Sequence, residues 1–329
     1  MKKYTIILFI FFITLLAACS AETNTNKEAD DHQEESKVQV NETDNKAALE
    51  EDGVDETALD EALEQFPKEI PERIITTSVP ITEMLHLLEI TPIGVPTSTN
   101  PIPKEFEEID QIGSPMQPDL EVVTSLNPDL IIGAKSLESS LEKNLEGIEM
   151  DRAYLNTDSF HDLKLSFKVL GTYFDKTDKM NEAMSQIVEK ENELAERAEG
   201  KELPRVLLII GTSDSFMVMN EKSYLGSIIE TLGAENIATT VLNATETYSP
   251  INMEAVVEAD PDIIFVLASG DHGASEDMFQ KEINDNDVWT KLAAYKNDRI
   301  HILDYDVFGV TSILNVEKAL TEIADYVYQ

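Results

Sequence analysis

The chain of 329 residues contains very little cysteine and little histidine. Cys19 is its only cysteine, so the part that follows has no thiol. A thiol-free domain suits an oxidising exterior, where a spare cysteine is a liability. The five histidines are scattered along the sequence, whereas a zinc or manganese receptor needs several histidines and carboxylates that converge on one ion.

Positive charge is also scarce. Lysine and arginine number 25 against 64 aspartate and glutamate residues, which gives a formal net charge of −39. Because no stretch of the chain is basic, the composition argues against a nucleic-acid partner. The acidic residues crowd the stretch before Pro67, which is also poor in aromatic residues. We therefore predict that residues 19–70 form a disordered, self-repelling tether.

Motifs of catalysis are missing as well. The segment Gly211-Thr212-Ser213-Asp214-Ser215 lacks the Gly-x-Ser-x-Gly pattern of a nucleophile elbow, and the chain has no glycine-rich phosphate loop. The sequence thus predicts a protein that is not an enzyme. An extracytoplasmic enzyme remains the alternative from another functional class.

A long apolar run occurs near the start of the chain, from Ile6 to Leu16, and Lys2 and Lys3 precede it. It is short for a membrane span and predicts a signal peptide over residues 1–18. The segment Leu16-Ala17-Ala18-Cys19 resembles a bacterial lipobox, in which the cysteine is lipidated and becomes the new N-terminus. This implies an anchor at Cys19, on the extracytoplasmic face of a Gram-positive-type membrane. An ordinary signal peptide with an incidental cysteine is the alternative.

Two similar stretches, 118–132 and 251–265, organise the rest of the chain. Glu121 matches Glu254 at an offset of 133 residues (254 − 121 = 133), and a Pro-Asp pair recurs at the same offset. A constant offset suggests two similar lobes. Pro-Asp before a buried strand is also common in unrelated α/β proteins, so coincidence is the other interpretation.

Each stretch predicts a short amphipathic helix, a turn and a strand. Proline disfavours helix at the preceding residue, so the helices should end near Leu126 and Ala259. The runs Leu130–Ile132 and Ile263–Val266 are apolar without alternation, which favours parallel strands covered on both faces.

Apolar residues recur at helical spacing from Asp178 to Glu199, and Gly200 and Pro204 follow. About 22 residues at about 1.5 Å each give a helix of about 33 Å, long enough to span a lobe. We predict an α/β fold with an N-terminal lobe at 71–174, a linking helix at 175–202 and a C-terminal lobe at 203–329, each lobe with a parallel sheet. Further predicted elements are strands at 73–78, 93–95, 152–155, 205–211 and 300–303, and helices at 81–90, 137–145, 160–173 and from 312.

This order of signal peptide, lipobox, tether, lobe, long helix and lobe resembles the helical-backbone, or class III, substrate-binding lipoproteins of ABC importers for siderophores, haem and cobalamin. The resemblance implies a monomer with small opening motions and an ABC permease as its partner. It also implies that one acidic residue on each lobe docks onto arginines of the permease. Glu121 and Glu254 hold equivalent positions and are our candidates; the alternative is two solvated carboxylates.

Four short motifs occur together in the order of one family within this class, the IsdE-like haem-binding lipoproteins. They are Ile112-Gly113-Ser114-Pro115-Met116-Gln117-Pro118, Ser223-Tyr224-Leu225-Gly226, Met278-Phe279-Gln280-Lys281-Glu282 and Val307-Phe308-Gly309-Val310-Thr311. The resemblance implies haem, iron protoporphyrin IX, as the transported ligand and a cell-surface haem donor upstream. It further implies that the iron is held by a methionine of the first lobe and a histidine of the second.

The methionine corresponds to Met116, whose thioether is a neutral axial ligand suited to haem iron. Considered alone, a methionine is more often a core filler. The histidine is less direct, because the gap-free match places Ser269 at the family position and His272 one helical turn later. A rearranged loop would restore His272 as the ligand; otherwise the iron has Met116 alone, a tyrosine or water.

A bound haem also needs apolar walls and partners for its propionates. Phe308 and Val310 are candidate walls, Tyr224 is a further candidate for contact with haem, and Thr97 and Ser98 are candidate partners for the propionates. A ferric siderophore is the runner-up ligand, although its receptors usually surround the anionic chelate with basic or aromatic groups. Cobalamin is a more distant choice, and a role in adhesion would leave these residues without a function.

Overall fold

The computed structural model describes residues 52–211, 215–268 and 274–329 as an α/β protein. The helices are α1 (Glu56–Leu63), α2 (Val79–Leu87), α3 (Leu120–Leu126), α4 (Glu138–Asn144), α5 (Phe160–Tyr173), α6 (Thr177–Ala198), α7 (Tyr224–Thr231), α8 (Ile237–Thr240), α9 (Met253–Ala259), α10 (Ala274–Asp285), α11 (Ala293–Lys296), α12 (Tyr305–Phe308) and α13 (Val316–Val327). The strands are β1 (Ile74–Thr76), β2 (Leu130–Ala134), β3 (Asp151–Leu155), β4 (Arg205–Gly211), β5 (Phe216–Met219), β6 (Glu235–Asn236), β7 (Tyr248–Pro250), β8 (Ile263–Ala268) and β9 (Ile300–Leu303).

The N-terminal lobe contains a three-stranded parallel sheet in the order β1-β2-β3. Every residue of the central strand β2 is buried, because helices cover both faces of the sheet. The predicted strand at 93–95 is reduced to isolated bridges, of Gly94 to Ile75 and of Val95 to Gln111. The parallel sheet predicted for this lobe is confirmed.

The C-terminal lobe contains a six-stranded sheet in the order β7-β5-β4-β8-β9, with β6 beside β4. Strands β4, β6, β8 and β9 are parallel, whereas β5 pairs antiparallel with both β4 and β7. The predicted parallel sheet is therefore confirmed for β4, β6, β8 and β9 and is wrong for the two pairings that β5 makes. Only four residues connect Gly211 to Phe216, too few for the crossover that a parallel neighbour requires.

The sequence repeat is a structural repeat. Helices α3 and α9 end at Leu126 and Ala259, as predicted, and the next residues, Asn127 and Asp260, share a left-handed conformation with φ of 44°. Asparagine and aspartate tolerate this conformation better than most residues. The same local chemistry thus ends the helix in both lobes.

An arginine-aspartate pair then joins each helix to its sheet. The Asp129 carboxylate accepts a hydrogen bond from the Arg73 backbone nitrogen at 2.9 Å, and Asp262 accepts from that of Arg205 at 2.8 Å. Each arginine side chain donates to the last carbonyls of the helix, that of Arg205 to the Ala259 oxygen at 2.6 Å. These bonds satisfy helix-terminal carbonyls that have no partner within the helix.

The long helix α6 has 22 residues and buries one stripe, formed by Met180, Met184, Ile187 and Leu194. It packs against α5 of the N-terminal lobe and α13 of the C-terminal lobe. Because one continuous helix contacts a helix from each lobe, the prediction of a single linking helix is confirmed.

One continuous hydrophobic core runs through both lobes and includes Ile132, Phe167, Met184, Leu208 and Ile323. In β4, Val206 and Leu208 face this core while Leu207 and Ile209 face a second cluster on the outer side of the sheet. Within the described ranges, no helix has the length and apolar character needed to cross a membrane.

The segment from Asp52 to residue 70 is folded, and the prediction that the tether extends to residue 70 is wrong for this part. Helix α1 buries Leu59, and Phe66 follows in the same core. The Lys168 ammonium pairs at 2.9 Å with both Asp52 and Glu56. These contacts offset the charge repulsion that the composition indicated. Residues 19–51 of the predicted tether lie outside the described residues.

The ends of other elements shift by a few residues. Helix α2 spans Val79–Leu87 against a predicted 81–90, and the last helix begins at Val316 where 312 was expected. Residues 309–315, before this helix, form an irregular segment that matters for the site described next.

Candidate functional site

A cavity of about 400 Å³ lies between the two lobes. The N-terminal lobe contributes Ser136 and Asp158 to its lining. The C-terminal lobe contributes the larger share, namely Ile210, Met219, Ser223, Tyr224, Leu225, Thr247, Tyr248, Leu267, Phe308, Gly309 and Thr311. This size and mixed lining are typical of a site for a small molecule.

The topology of both sheets accounts for the location of the cavity. Ser136 follows β2 and Asp158 follows β3, while Ile210 and Leu267 lie near the carboxyl ends of β4 and β8. Ligands of open α/β sheets bind outside the carboxyl ends of the strands. Here the two lobes direct these ends toward one shared space.

Met116 lies at the tip of a tight turn in the N-terminal lobe. The Gln117 backbone nitrogen donates to the Ser114 carbonyl at 3.1 Å, so Pro115 and Met116 occupy the two central positions. Gly113 precedes the turn with φ of +92°, a conformation that favours glycine. The hydrogen bond and the glycine together constrain the backbone of the turn that carries the Met116 side chain.

The backbone of Met116 is held while its side chain remains accessible. Its carbonyl accepts hydrogen bonds from Asn144 Nδ2 at 2.8 Å and Ser140 Oγ at 3.3 Å, both on α4. The residue is 54% exposed, which excludes the core-filling role that most methionines have. Met116 is not among the described residues that line the cavity, but α4 begins two residues after Ser136, which does line it.

Thr97 and Ser98 lie in a loop beside this turn. The Thr97 backbone nitrogen donates to the Gly113 carbonyl at 2.8 Å, and its hydroxyl donates to Gln111 Oε1 at 3.1 Å. Ser98 Oγ accepts from the Asn100 backbone nitrogen at 3.0 Å. Thr97 is therefore brought next to the Met116 turn, whereas neither residue is among the described lining of the cavity.

Of the three candidates for contact with haem in the C-terminal lobe, Tyr224 and Phe308 line the cavity. Tyr224 begins α7 and Phe308 ends α12, and both side chains are buried. Burial raises the pKa of the Tyr224 phenol, so the phenol is neutral at physiological pH. Val310 is not among the described lining residues; its neighbours Gly309 and Thr311 take that position.

His272 and Ser269, the two candidates for the second iron ligand, lie outside the described residues, as does Cys19. Among the described histidines, His301 stacks on Tyr326 at 4.2 Å, and burial lowers its pKa. His86 lies 3.8 Å from Glu105. Neither lines the cavity, and the part of the chain that the structure describes holds no cluster of three or more metal-ligating side chains.

Glu121 and Glu254 occupy the same position of α3 and α9, the second residue of each helix. Their backbone nitrogens donate to the cap residues Asp119 and Asn252 at 2.9 and 3.1 Å. Both glutamates are exposed, so both carboxylates are available to a partner.

Sequence reasoning missed Asp158 and Tyr248, which line the cavity from opposite lobes. Burial raises the pKa of the Asp158 carboxyl, while burial and then Asp158 raise that of the Tyr248 phenol. Neither residue belongs to a recognisable motif. Asp158 follows the predicted strand at 152–155, which was the available signal for this residue, whereas no predicted element adjoins Tyr248.

A buried carboxyl between the lobes was also missed. Glu83 of α2 accepts hydrogen bonds from Ser312 Oγ at 2.8 and 3.0 Å, although 229 residues separate them. Burial raises the pKa of Glu83 to about 7, and the bonds from Ser312 and the backbone oppose this effect. No sequence pattern indicates a pair so far apart.

Two α/β lobes, one connecting helix and a cavity between the lobes define a substrate-binding protein of the helical-backbone class. Residues 74–307 match the model of the periplasmic binding protein family, and the chain belongs to that family. This confirms the fold class predicted from the sequence.

Three relatives show how this chain compares with known proteins. The high-affinity haem uptake system protein IsdE of Staphylococcus aureus (strain MRSA252) is 30% identical over 264 residues, which cover 78% of this chain and 87% of the relative. The crystal structure of S. aureus IsdE complexed with haem superposes with a TM-score of 0.70 at 28% identity, covering 78% of this chain and 99% of that one. The resemblance to the IsdE family is thereby confirmed.

The other two relatives are solved structures. An ABC transporter substrate-binding protein from Listeria monocytogenes EGD-e has a TM-score of 0.72 and 31% identity, with 79% of this chain and 99% of that chain covered. S. aureus SirA complexed with staphyloferrin B has a TM-score of 0.67 but only 18% identity, covering 79% and 94%. The likeness to SirA shows a common fold alone.

Proposed function

We propose that this protein binds haem between its lobes and delivers it to an ABC permease for iron or haem uptake. The observation that carries the proposal is Met116, an exposed thioether on a glycine-preceded turn whose carbonyl is anchored by Asn144 and Ser140. The identity with a protein named for high-affinity haem uptake supports this choice of ligand.

The surrounding chemistry suits a metalloporphyrin. A thioether binds haem iron as a neutral axial ligand. Phe308 and Tyr224 offer aromatic surface to a flat macrocycle, and Thr97 and Ser98 offer hydroxyls near the Met116 turn for the propionates. Val310, one residue beyond the lining residue Gly309, is a further candidate for contact with haem.

His272 is the proposed second ligand of the iron. Residues 269–273 follow β8, and Leu267 near the end of this strand lines the cavity. A neutral imidazole opposite the thioether would fill both axial positions, which favours ligation without turnover. A tyrosine or water in place of His272 is the alternative.

Delivery requires a membrane location and a docking surface. We propose a lipid anchor at Cys19 that keeps a monomeric protein on the extracytoplasmic face of the membrane. Glu121 and Glu254, exposed and equivalent on the two lobes, would dock onto basic residues of the permease. A haem donor at the cell surface would supply the ligand.

The test is a haemin titration of the full chain and of Met116→Leu, which keeps the volume of the side chain but removes the sulfur. We expect the wild type to give a sharp Soret band of low-spin haem and Met116→Leu to lose it. His272→Ala should change the spectrum as well. Met150→Leu is the matched control, because Met150 is a partly buried methionine packed in the same lobe.

Three outcomes separate the alternatives. A spectrum that Met116→Leu leaves unchanged would contradict the role of Met116. If Met116→Leu changes the spectrum and His272→Ala does not, the second ligand of the iron lies elsewhere. A change in Met150→Leu as large as that in Met116→Leu would show that the effect is not specific to the ligand.

A ferric siderophore is the second candidate ligand, because SirA shares the fold. The lining of the cavity argues against it. None of the described residues that line the cavity is lysine or arginine, and Asp158 adds a carboxyl. These described residues offer no counter-charge to an anionic chelate.

A further inference from the structure

Glu83 is a buried carboxyl to which the haem proposal gives no role. It lies on α2 of the N-terminal lobe and is 6% exposed, and its partner Ser312, in the C-terminal segment 309–315, is 3% exposed. The Ser312 hydroxyl donates to both carboxyl oxygens of Glu83, at 2.8 and 3.0 Å. The Leu314 backbone nitrogen approaches Glu83 Oε2 at 3.5 Å.

These bonds constrain the position of the segment. Residues 309–315 have no regular secondary structure, so individual hydrogen bonds such as those to Glu83, and not a helix or a strand ladder, fix their position. The Asn315 backbone nitrogen donates to Ser312 Oγ at 3.1 Å. Ser312 therefore connects Glu83 to Asn315, the residue that directly precedes α13. Removal of a buried acceptor leaves its donors unsatisfied, which is more costly than the loss of an exposed bond.

The same segment forms part of the cavity wall. Gly309 and Thr311 line the cavity directly. The Ser312 carbonyl accepts a hydrogen bond from the hydroxyl of Tyr224, another lining residue, at 3.4 Å. Ser312 therefore contacts the opposite lobe through its hydroxyl and the cavity wall through its carbonyl.

We infer that Glu83 is a positioning residue of the cleft, which acts through Ser312 to place the wall formed by Phe308, Gly309 and Thr311 relative to the N-terminal lobe. The inference rests on the proposed function only in taking this cavity as the ligand site. It links closure of the lobes to the shape of the wall that meets the ligand.

Hydrogen-deuterium exchange of the full chain tests this inference without any ligand. In Glu83→Ala, the amides of residues 309–315 should exchange about tenfold faster, because the hydroxyl and amide donors lose their acceptor. Amides of β4 and β8 should keep the wild-type rate. Glu83→Gln should restore slow exchange, since an amide oxygen also accepts from Ser312.

Two further variants control the test. Ser312→Ala should accelerate the same segment, and combining it with Glu83→Ala should add little, because both remove one interaction. Glu142→Ala is the matched control, since Glu142 is also a carboxylate of the N-terminal lobe with two side-chain donors, Arg152 at 2.6 Å and Tyr154 at 2.7 Å. It should leave residues 309–315 unchanged.

The inference fails if Glu83→Ala exchanges at the wild-type rate in 309–315. It also fails if exchange rises equally throughout the chain, because a loss of global stability needs no positioning role. Absence of haem binding by the wild type would overturn the proposed ligand and leave this exchange pattern as predicted, so the two failures are distinguishable.

Discussion

The buried Glu83 makes a specific contribution to the pH dependence of stability. Its pKa rises from an ordinary value of 4.5 to about 7, with burial as the largest cause. Because the folded protein holds this proton more tightly than the unfolded chain, ionisation above pH 4.5 favours unfolding. The free energy of unfolding should therefore fall as the pH rises from about 4.5 to about 7 and level off above that.

The size of the effect follows from these two values. Each pH unit between 4.5 and 7 removes about 1.4 kcal/mol, so the full interval removes about 3 kcal/mol. Most of this loss should occur between pH 5 and pH 7. Glu83→Gln imitates the protonated acid at every pH, so it lacks this term.

The assay is urea denaturation of the wild type and of Glu83→Gln at pH 5, 6, 7 and 8. Other carboxyls titrate in both proteins, so their contributions cancel in the difference. We expect nearly equal stability at pH 5 and a more stable Gln variant at pH 8, by about 2 to 3 kcal/mol. If the free energy of unfolding of the two proteins varies with pH in parallel over this range, the argument that ionisation of Glu83 destabilises the fold is refuted.

Three other substitutions test the packing of the fold. Asp52→Ala removes a partner of Lys168 at a site where both side chains are 3% exposed, and should lower the free energy of unfolding by about 3 kcal/mol. Asp325→Ala removes the exposed pair with Arg197 and should lower it by about 0.5 kcal/mol. Equal losses in denaturation would contradict the account of the Asp52 segment. Gly226→Ala would place a methyl 1.8 Å from the Asn220 carbonyl oxygen and should cost about 3 kcal/mol or more. An unchanged midpoint of urea denaturation would contradict this steric argument, because it would mean that α7 can shift to accommodate the methyl group.

The sequence predicted the features that depend on local chemistry. The ends of α3 and α9 followed from the proline that comes shortly after each helix. The first and last residues of α5 and β4 are the ones predicted from the sequence. The length of α6 followed from a helical period uninterrupted by glycine or proline. The resemblance to one family directed attention to Tyr224 and Phe308, which the structure brings to one cavity.

Features that depend on distant pairing were not predictable in this way. In the sequence, the charge of residues 52–70 outweighed apolar side chains such as Leu59 and Phe66. Only the folded chain shows that the acidic Asp52 pairs with Lys168 and that the apolar side chains join the core. The direction of β5 depends on the length of one loop. The contact of Glu83 with Ser312 joins residues 229 positions apart, beyond any local periodicity.

The most direct test of the haem proposal is a titration of the wild-type chain with haemin, beside the same titration with a ferric siderophore. We predict that the Soret absorbance saturates at one haem per chain and that the siderophore produces no saturable change. Saturation by the siderophore without a specific haem spectrum would contradict the account and assign the cleft to a ferric chelate.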